Sequence, residues 1–257
     1  MKRVLAMADM HSGHLVGLTH PDFDIRHNVK EYEDIDRARR AYWNWYADEI
    51  DKLKPIDCLI FVGDAVDGKG TKSGGTELIQ ADRTGQVKMA IAALEHVKAK
   101  ASYFVYGTGY HVGVDDDWEN EVAEGVGAVK IGSHDWLDVN GQIFDYKHFI
   151  NSSVIPHGRH TAIAREKLWN LLWAEGDMYP NSTIILRAHV HYFTVTGDDR
   201  YMGFTLPALQ GLGTKFGARV CSGIVNFGFV HFDVEENGDY QWRVHILRPS
   251  PHLALVL

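Results

Sequence analysis

With 257 residues the chain can bury a full core, and a composition of 45% hydrophobic and 23% charged residues is that of an ordinary globular protein. The net charge of −8 argues against a protein that grips long duplex DNA, because phosphate backbones are held by a basic face. No apolar run approaches the ~20 residues of a membrane span, and the two cysteines, Cys58 and Cys221, supply neither a disulfide framework nor a zinc-ribbon spacing. Met1-Lys2-Arg3 is followed by too short an apolar stretch for a secretory leader. The expected compartment is a reducing cytoplasm.

The first apolar run, Val4 to Ala8, reads as a buried strand and ends on Asp9-Met10-His11. Residues 12–33, punctuated by Gly13, Gly17 and Pro21, read as a long loop. A helix capped by Asp34 or Asp36 is predicted to run to about Leu53. It carries Ala38, Ala41, Tyr42, Trp45, Tyr46 and Leu53 at helical spacing, and Pro55 closes it. Tyr42, Trp43, Trp45 and Tyr46 cannot all face one core, which leaves part of the cluster for a dimer contact. A second strand, Leu59 to Val62, leads into Gly63-Asp64-Ala65-Val66-Asp67. A glycine-rich loop over 68–76 and a helix over 77–100 follow.

A third strand, Tyr103 to Tyr106, delivers Gly107-Thr108-Gly109-Tyr110-His111. Next come a short helix over 117–127 and strands over 128–131, 135–139 and 142–149, the last two joined at Asn140-Gly141. The helix predicted over 160–175 turns Ile163, Leu168, Leu171 and Leu172 inward. Ile184 to Leu186 leads into Arg187-Ala188-His189-Val190-His191. The tail is strand-rich, with Val225 to Val234 and Tyr240 to Leu247 joined at Asn237-Gly238.

Strand–helix alternation followed by strands, with no internal repeat, predicts a single α/β domain over 1–257. Its expected architecture is a four-layer α-β-β-α sandwich of two mixed sheets flanked by helices. Four strand ends then carry Asp, His, Asp, His, His and His toward one edge, the place where open α/β sheets collect ligand-binding groups. A mixed carboxylate and imidazole set suits Mn, Fe, Zn, Co or Ni better than Ca or Mg. Phosphate-ester hydrolysis at neutral pH needs an activated water and stabilised phosphoryl charge, and two divalent ions ~3.5–4 Å apart supply both.

In order and spacing, Asp9-x-His11, Gly63-Asp64-x-x-Asp67, His111, His148 and Ala188-His189-x-His191 resemble the calcineurin-like metallophosphoesterases. That family's motifs run D-x-H, G-D-x-x-D, G-N-H-D/E, H and G-H-x-H, and the resemblance spans residues 9–191. It implies that Asp9, His11, Asp64 and His191 hold a first metal, that Asp64 bridges, and that His148 and His189 hold a second. It makes His111 the residue that contacts the phosphoryl group and protonates the leaving oxygen.

The chain departs from the pattern in three places. The family's Asn, a second-metal ligand, is replaced by Thr108 if alignment starts from the strand and by Tyr110 if it starts from the histidine; Thr108, the preferred alternative, is a weaker ligand. Val112 stands where an acid follows the histidine, so a carboxylate orienting His111 must come from Asp67, Asp115, Asp116 or Asp117. Ala188 replaces a glycine. The Gly-Thr-x-x-His spacing looks like that of phage-type members, whose working place is the host cytoplasm. His157 and His160 compete with His148 for the second metal. His14, Asp67 and Tyr110 are candidates for substrate contact, while His231 and His245 read as structural.

The expected activity is dinuclear-metal hydrolysis of a phosphodiester, with manganese the first choice of ion. A nuclease of the same chemistry and a non-catalytic scaffold with a weakened second metal are the alternatives.

Overall fold

The computed structural model describes residues 1–113, 117–151, 153, 155–212 and 224–248; Asp115, Asp116 and Cys221 lie outside them. Strands β1 (Lys2–Met7), β2 (Cys58–Phe61), β3 (Ala101–Val105) and β4 (Lys130–Gly132) lie side by side and parallel. The hairpin of β10 (Phe227–Val234) and β11 (Tyr240–Leu247) adds antiparallel to β1, so the sheet order is β11-β10-β1-β2-β3-β4. The second sheet contains β5 (Asp135–Val139), β6 (Gln142–Tyr146), β7 (Ile184–Arg187), β8 (Thr194–Gly197) and β9 (Met202–Thr205), in the order β5-β6-β7-β9-β8. Its β6, β7 and β9 are parallel.

Side chains alternate across each central strand and sort into two cores. Val4, Ala6, Cys58 and Ile60 face the second sheet, where they meet Phe144, Tyr146, Ile184, Leu186 and Phe204. Leu5, Met7, Leu59 and Phe61 face the other way, onto helices α1 (Lys30–Leu53), α2 (Arg83–Glu95) and α4 (Trp118–Gly125). Burial on both faces explains why these strands are continuous apolar runs. Two further helices are α3 (Gly109–Val112), a single turn, and α5 (Gly158–Glu175), which covers the outer face of the second sheet through Ala162, Ile163 and Ile185. The layers are therefore helix, sheet, sheet, helix, as the sequence pattern predicts. No described helix is long and apolar enough to cross a membrane.

Four expectations need correction. Helix α1 begins at Lys30, a turn before the expected cap, and Asp36 is inside it. The Asp36 carboxylate accepts the backbone N–H of His27 (2.7 Å) and faces the His27 ring (2.8 Å), so it ties the preceding loop to the helix. Helix α2 starts only at Arg83, because the Asp82 carboxylate accepts the Gly85 N–H (2.8 Å) and caps it there. Trp43 and Tyr46 are buried in the α1-side core, and half-buried Tyr42 and Trp45 pack against it, Tyr42 stacked on Phe227 and Trp45 tilted on Phe229, so all four aromatics do meet one core.

The fourth correction concerns α5, which turns Leu168, Leu171 and Leu172 outward and buries Lys167 and Asn170 instead. Lys167 Nζ donates to Asn181 Oδ1 (2.6 Å) and to the Ser182 carbonyl (2.6 Å), and Asn170 exchanges hydrogen bonds with Ser182 (2.9 Å each). One turn away, Glu166 accepts from Arg187 Nε (2.9 Å). Polar anchoring to the sheet, with Lys167 and Asn170 fully paired, wins over the apolar stripe.

Candidate metal centre

The carboxyl ends of β1, β2, β3 and β7, with the segment after β6, meet at one edge. There the backbone continues to pair beyond the strands: Asp9 N–H donates to the Gly63 carbonyl (2.9 Å), His11 N–H to that of Asp64 (3.0 Å), and Ala188 N–H to that of His148 (2.8 Å). Asp9, His11, Asp64, His189 and His191 all adopt positive φ, between 47° and 72°. That conformation costs of order 1 kcal/mol per non-glycine residue and persists where surrounding structure enforces it, commonly at functional sites. Here it turns each side chain off its strand end toward the same point.

Three sets of ligand atoms converge within 4.8 Å: Asp9, His11 and His191; His11, Asp64 and His111; and Asp64, His148 and His189. His11 Nε2 and His191 Nε2 are 3.2 Å apart, and Asp9 Oδ1 lies 3.4 Å from His191 Nε2 and 4.0 Å from the ring nitrogens of both His11 and His148. His148 Nε2 faces Asp64 Oδ2 at 3.1 Å. Asp9 Oδ1 and His148 Nε2 are buried atoms with no aligned hydrogen-bond partner among the described residues. Opposed imidazole nitrogens and orphaned buried acceptors are what a cation between them would satisfy, so the donor set fits divalent metal.

The outward ring nitrogens are also fixed. His148 Nδ1 lies 2.7 Å from the Val62 carbonyl and so carries the proton, which leaves Nε2 for the centre. His11 Nδ1 is held by Asp67 Oδ1 (3.1 Å). His111 Nδ1 donates to the backbone carbonyl of Asp67 (2.8 Å), while the Asp67 carboxylate is 3.7 Å away. The group orienting His111 is thus a carbonyl, and the carboxylate expected for that task serves His11. Asp117 caps α4 by accepting the Glu119 N–H (3.1 Å).

Burial alone would discharge these groups. For Asp64 it is overcome by the positive charge of His148, which holds the carboxyl far below the usual carboxylate range. Burial likewise opposes a charged His148, yet Asp64 and Asp9 push that imidazole up to about 10. His11 goes the other way, to about 4, through burial and then the nearby His111 and His191.

Thr108 stands against the shared carboxylate: its N–H donates to Asp64 Oδ1 (2.7 Å) and its hydroxyl lies 3.1 and 3.2 Å from the two oxygens. Tyr110 sits further out, edge-on to the His111 ring at 4.7 Å. His14 is turned to Glu77 (3.4 Å) and belongs to none of the three ligand sets. His157 and His160 are exposed at the start of α5 and also belong to none, whereas His148 is buried within one.

Sequence reasoning missed Glu119. This fully buried carboxylate accepts the backbone N–H of Ala65 (2.9 Å) and of Gly107 (2.5 Å), so α4 clamps together the two turns that carry Asp64 and Thr108. Burial and the Asp64 charge push it up to about 8, against the pull of the two N–H donors. A signal was available: Glu119 takes a place in the stripe 119, 122, 123 that is otherwise the apolar face of α4. Two glycines make the approach possible. A Cβ at Gly63 would come within 2.6 Å of His148 Nδ1, and one at Gly107 would overlap Asp64.

No protein-family model and no curated protein matches the chain. Among solved structures it is similar to Vps29 of Chaetomium thermophilum, at 10% identity and TM-score 0.48, over 96% of this chain and 98% of that one. It is similar also to the zinc complex of wild-type Vps29 from Entamoeba histolytica, at 11% identity and TM-score 0.43, over 95% and 98%. A third is an archaeal phosphodiesterase, at 12% identity and TM-score 0.43, over 95% and 99%. The likeness lies in the arrangement of sheets and helices.

Proposed function

We propose that this chain is a metal-dependent phosphodiesterase of the calcineurin-like type, with its Gly107-Thr108-x-x-His111 turn matching phage-type members. The observation that carries the reading is the convergence of two His/Asp sets, Asp9-His11-His191 and Asp64-His148-His189, with His111 beside them. The first set would hold one divalent ion, the second another, and Asp64, central to two of the three groupings, would be shared. Manganese is the first choice, since imidazole and carboxylate together suit such ions. Two ions there would supply a water activated for attack and neutralise phosphoryl charge.

The chain's own contribution is preorganisation. Val62 and Asp67 set the proton positions of His148 and His11, so their Nε2 lone pairs face the centre without rearrangement. The Asp67 carbonyl fixes the His111 ring with Nδ1–H outward, so that Nε2 is presented to the site and can give a proton to the departing oxygen. Thr108 holds the Asp64 carboxylate by two donors, a positioning role in addition to any ligation. The substrate class proposed is the phosphodiester, and a proton given by His111 would neutralise its alkoxide or aryloxide leaving group.

The test is metal analysis together with a substrate panel. Protein prepared without chelator, then loaded with manganese, is expected to retain transition metal and to hydrolyse bis(p-nitrophenyl) phosphate faster than p-nitrophenyl phosphate. A chain that takes up no metal after reloading would be a scaffold and the proposal would be lost. A strong monoester preference would overturn the diester assignment. Salt-suppressed cleavage of single-stranded DNA ends would make the substrate a nucleic acid.

A further inference from the structure

Helix α5 is the outermost layer over the second sheet, and its buried side combines apolar Ala162 and Ile163 with polar Lys167 and Asn170. Its outward side exposes large apolar groups. Leu168 is 56% exposed, Trp169 47%, Leu171 45% and Leu172 54%, and Met178 and Tyr179 just beyond the helix are exposed as well. The four helical side chains alone leave roughly 400–500 Å² of apolar surface in contact with water, at or above the level at which a contiguous patch on a monomer marks an interaction site. With Met178 and Tyr179 the exposed area is roughly 600–700 Å², a little under the about 800 Å² per partner of a standard-size interface.

The charges around this face say what covers it. Asn170 points into the protein, so the outward stripe is centred opposite it at the same level of the helix. Counting from that level, Leu168 and Leu172 are two residues either side, and Arg165 and Glu175 are five residues either side. Arg165 and Glu175 make no ion pair among the described residues. A stripe with an apolar centre, a cation at one end and an anion at the same distance at the other is self-complementary when reversed. We propose that a second copy of this chain docks here, α5 antiparallel to α5 about a two-fold axis at the level of residue 170. Leu168 then meets Leu172 of the second copy, and Arg165 meets its Glu175, each contact occurring twice as an isologous interface requires. Trp169 and Leu171 flank the centre on either side. The inference is independent of the metal reading.

Sedimentation equilibrium of the full chain at micromolar concentration tests it. The parent protein is expected to be a dimer, and Leu168→Asp/Leu172→Asp a monomer of unchanged circular dichroism. Arg165→Glu and Glu175→Arg alone are each expected to weaken association at least tenfold, because each places like charges opposite one another twice across the axis. The double variant Arg165→Glu/Glu175→Arg is expected to regain parental association, because the exchanged charges still pair across the axis. A monomeric parent protein, a dimer insensitive to the leucine changes, or failure of the double exchange to restore association would each overturn the proposal.

Discussion

Replacing Gly107 by alanine isolates the positioning of Asp64 from every other property of the site. Gly107 has no positive φ, so alanine is compatible with its backbone and the whole effect is steric. The added Cβ would lie 2.9 Å from Asp64 Cα and closer still to the Asp64 backbone nitrogen and Oδ1. Ordinary contact begins near 3.4 Å, so the two turns must part by at least half an ångström at Cα and by more at the carboxylate. The Asp64 backbone resists, since its carbonyl accepts from Met10 and His11 (2.9 and 3.0 Å). The Gly107 N–H is held by Glu119 (2.5 Å). Because the Asp64 backbone nitrogen and Cα are overlapped as well as Oδ1, the strain is shared by both turns and the carboxylate moves with them.

Overpacking of this kind costs about 1–3 kcal/mol, which corresponds to a fall in Tm of roughly 3–10 °C for a chain of this size. A shift of ~1 Å in a group that organises the reaction costs on the order of 10²-fold in turnover. The assays are thermal unfolding and manganese-supported hydrolysis of bis(p-nitrophenyl) phosphate. Gly176→Ala serves as control, because its Cβ meets only ordinary contacts at 3.7 Å. Turnover by Gly107→Ala within about threefold of the parent protein would refute the claim that close approach of this turn places Asp64.

Three further outcomes are expected. Glu119→Gln can satisfy only one of the Ala65 and Gly107 N–H groups and turns a donor toward the other, at a cost of about 1–3 kcal/mol; amide exchange at residues 65 and 107 should accelerate, and unchanged protection there would count against the clamp. His111→Ala should retain metal and lose turnover most for esters with poor leaving groups; equal loss across leaving groups would deny its proton-donor role. In the β10–β11 hairpin, burial and the adjacent His245 hold His231 down at about 4, and His245 is lowered too. The unfolded chain takes up protons near the ordinary value of 6.5 while the folded one does not, so stability falls as pH drops from 6.5 toward 4. Allowing for partial solvent screening, the loss is on the order of 1–2 kcal/mol. Urea unfolding at pH 7 and pH 5 should show a smaller loss for His231→Gln than for the parent, and identical losses would remove His231 as the cause.

The layered architecture was legible in the sequence because burial of β1 and β2 on both faces demands unbroken apolar runs, and Gly, Asp and His punctuate each one. The order of Asp9, His11, Asp64, His111, His189 and His191 was legible for the same reason: each follows a strand end. Element boundaries were less so, because Asp36 and Asp82 are equally good caps as letters and only the His27 and Gly85 donors distinguish their roles. Which histidine after β6 joins the site, His148 or His157, depended on the Val62 carbonyl, 86 residues away in the chain. Glu119 was invisible as a clamp because its partners are backbone amides, which carry no residue identity. The facing of α5 was also decided only in three dimensions: Leu168, Leu171 and Leu172 make a true apolar stripe, but Lys167 and Asn170 find complete sets of partners beneath the helix. A periodicity names the faces of a helix; which one turns inward is settled by whether the polar groups opposite it can all be paired.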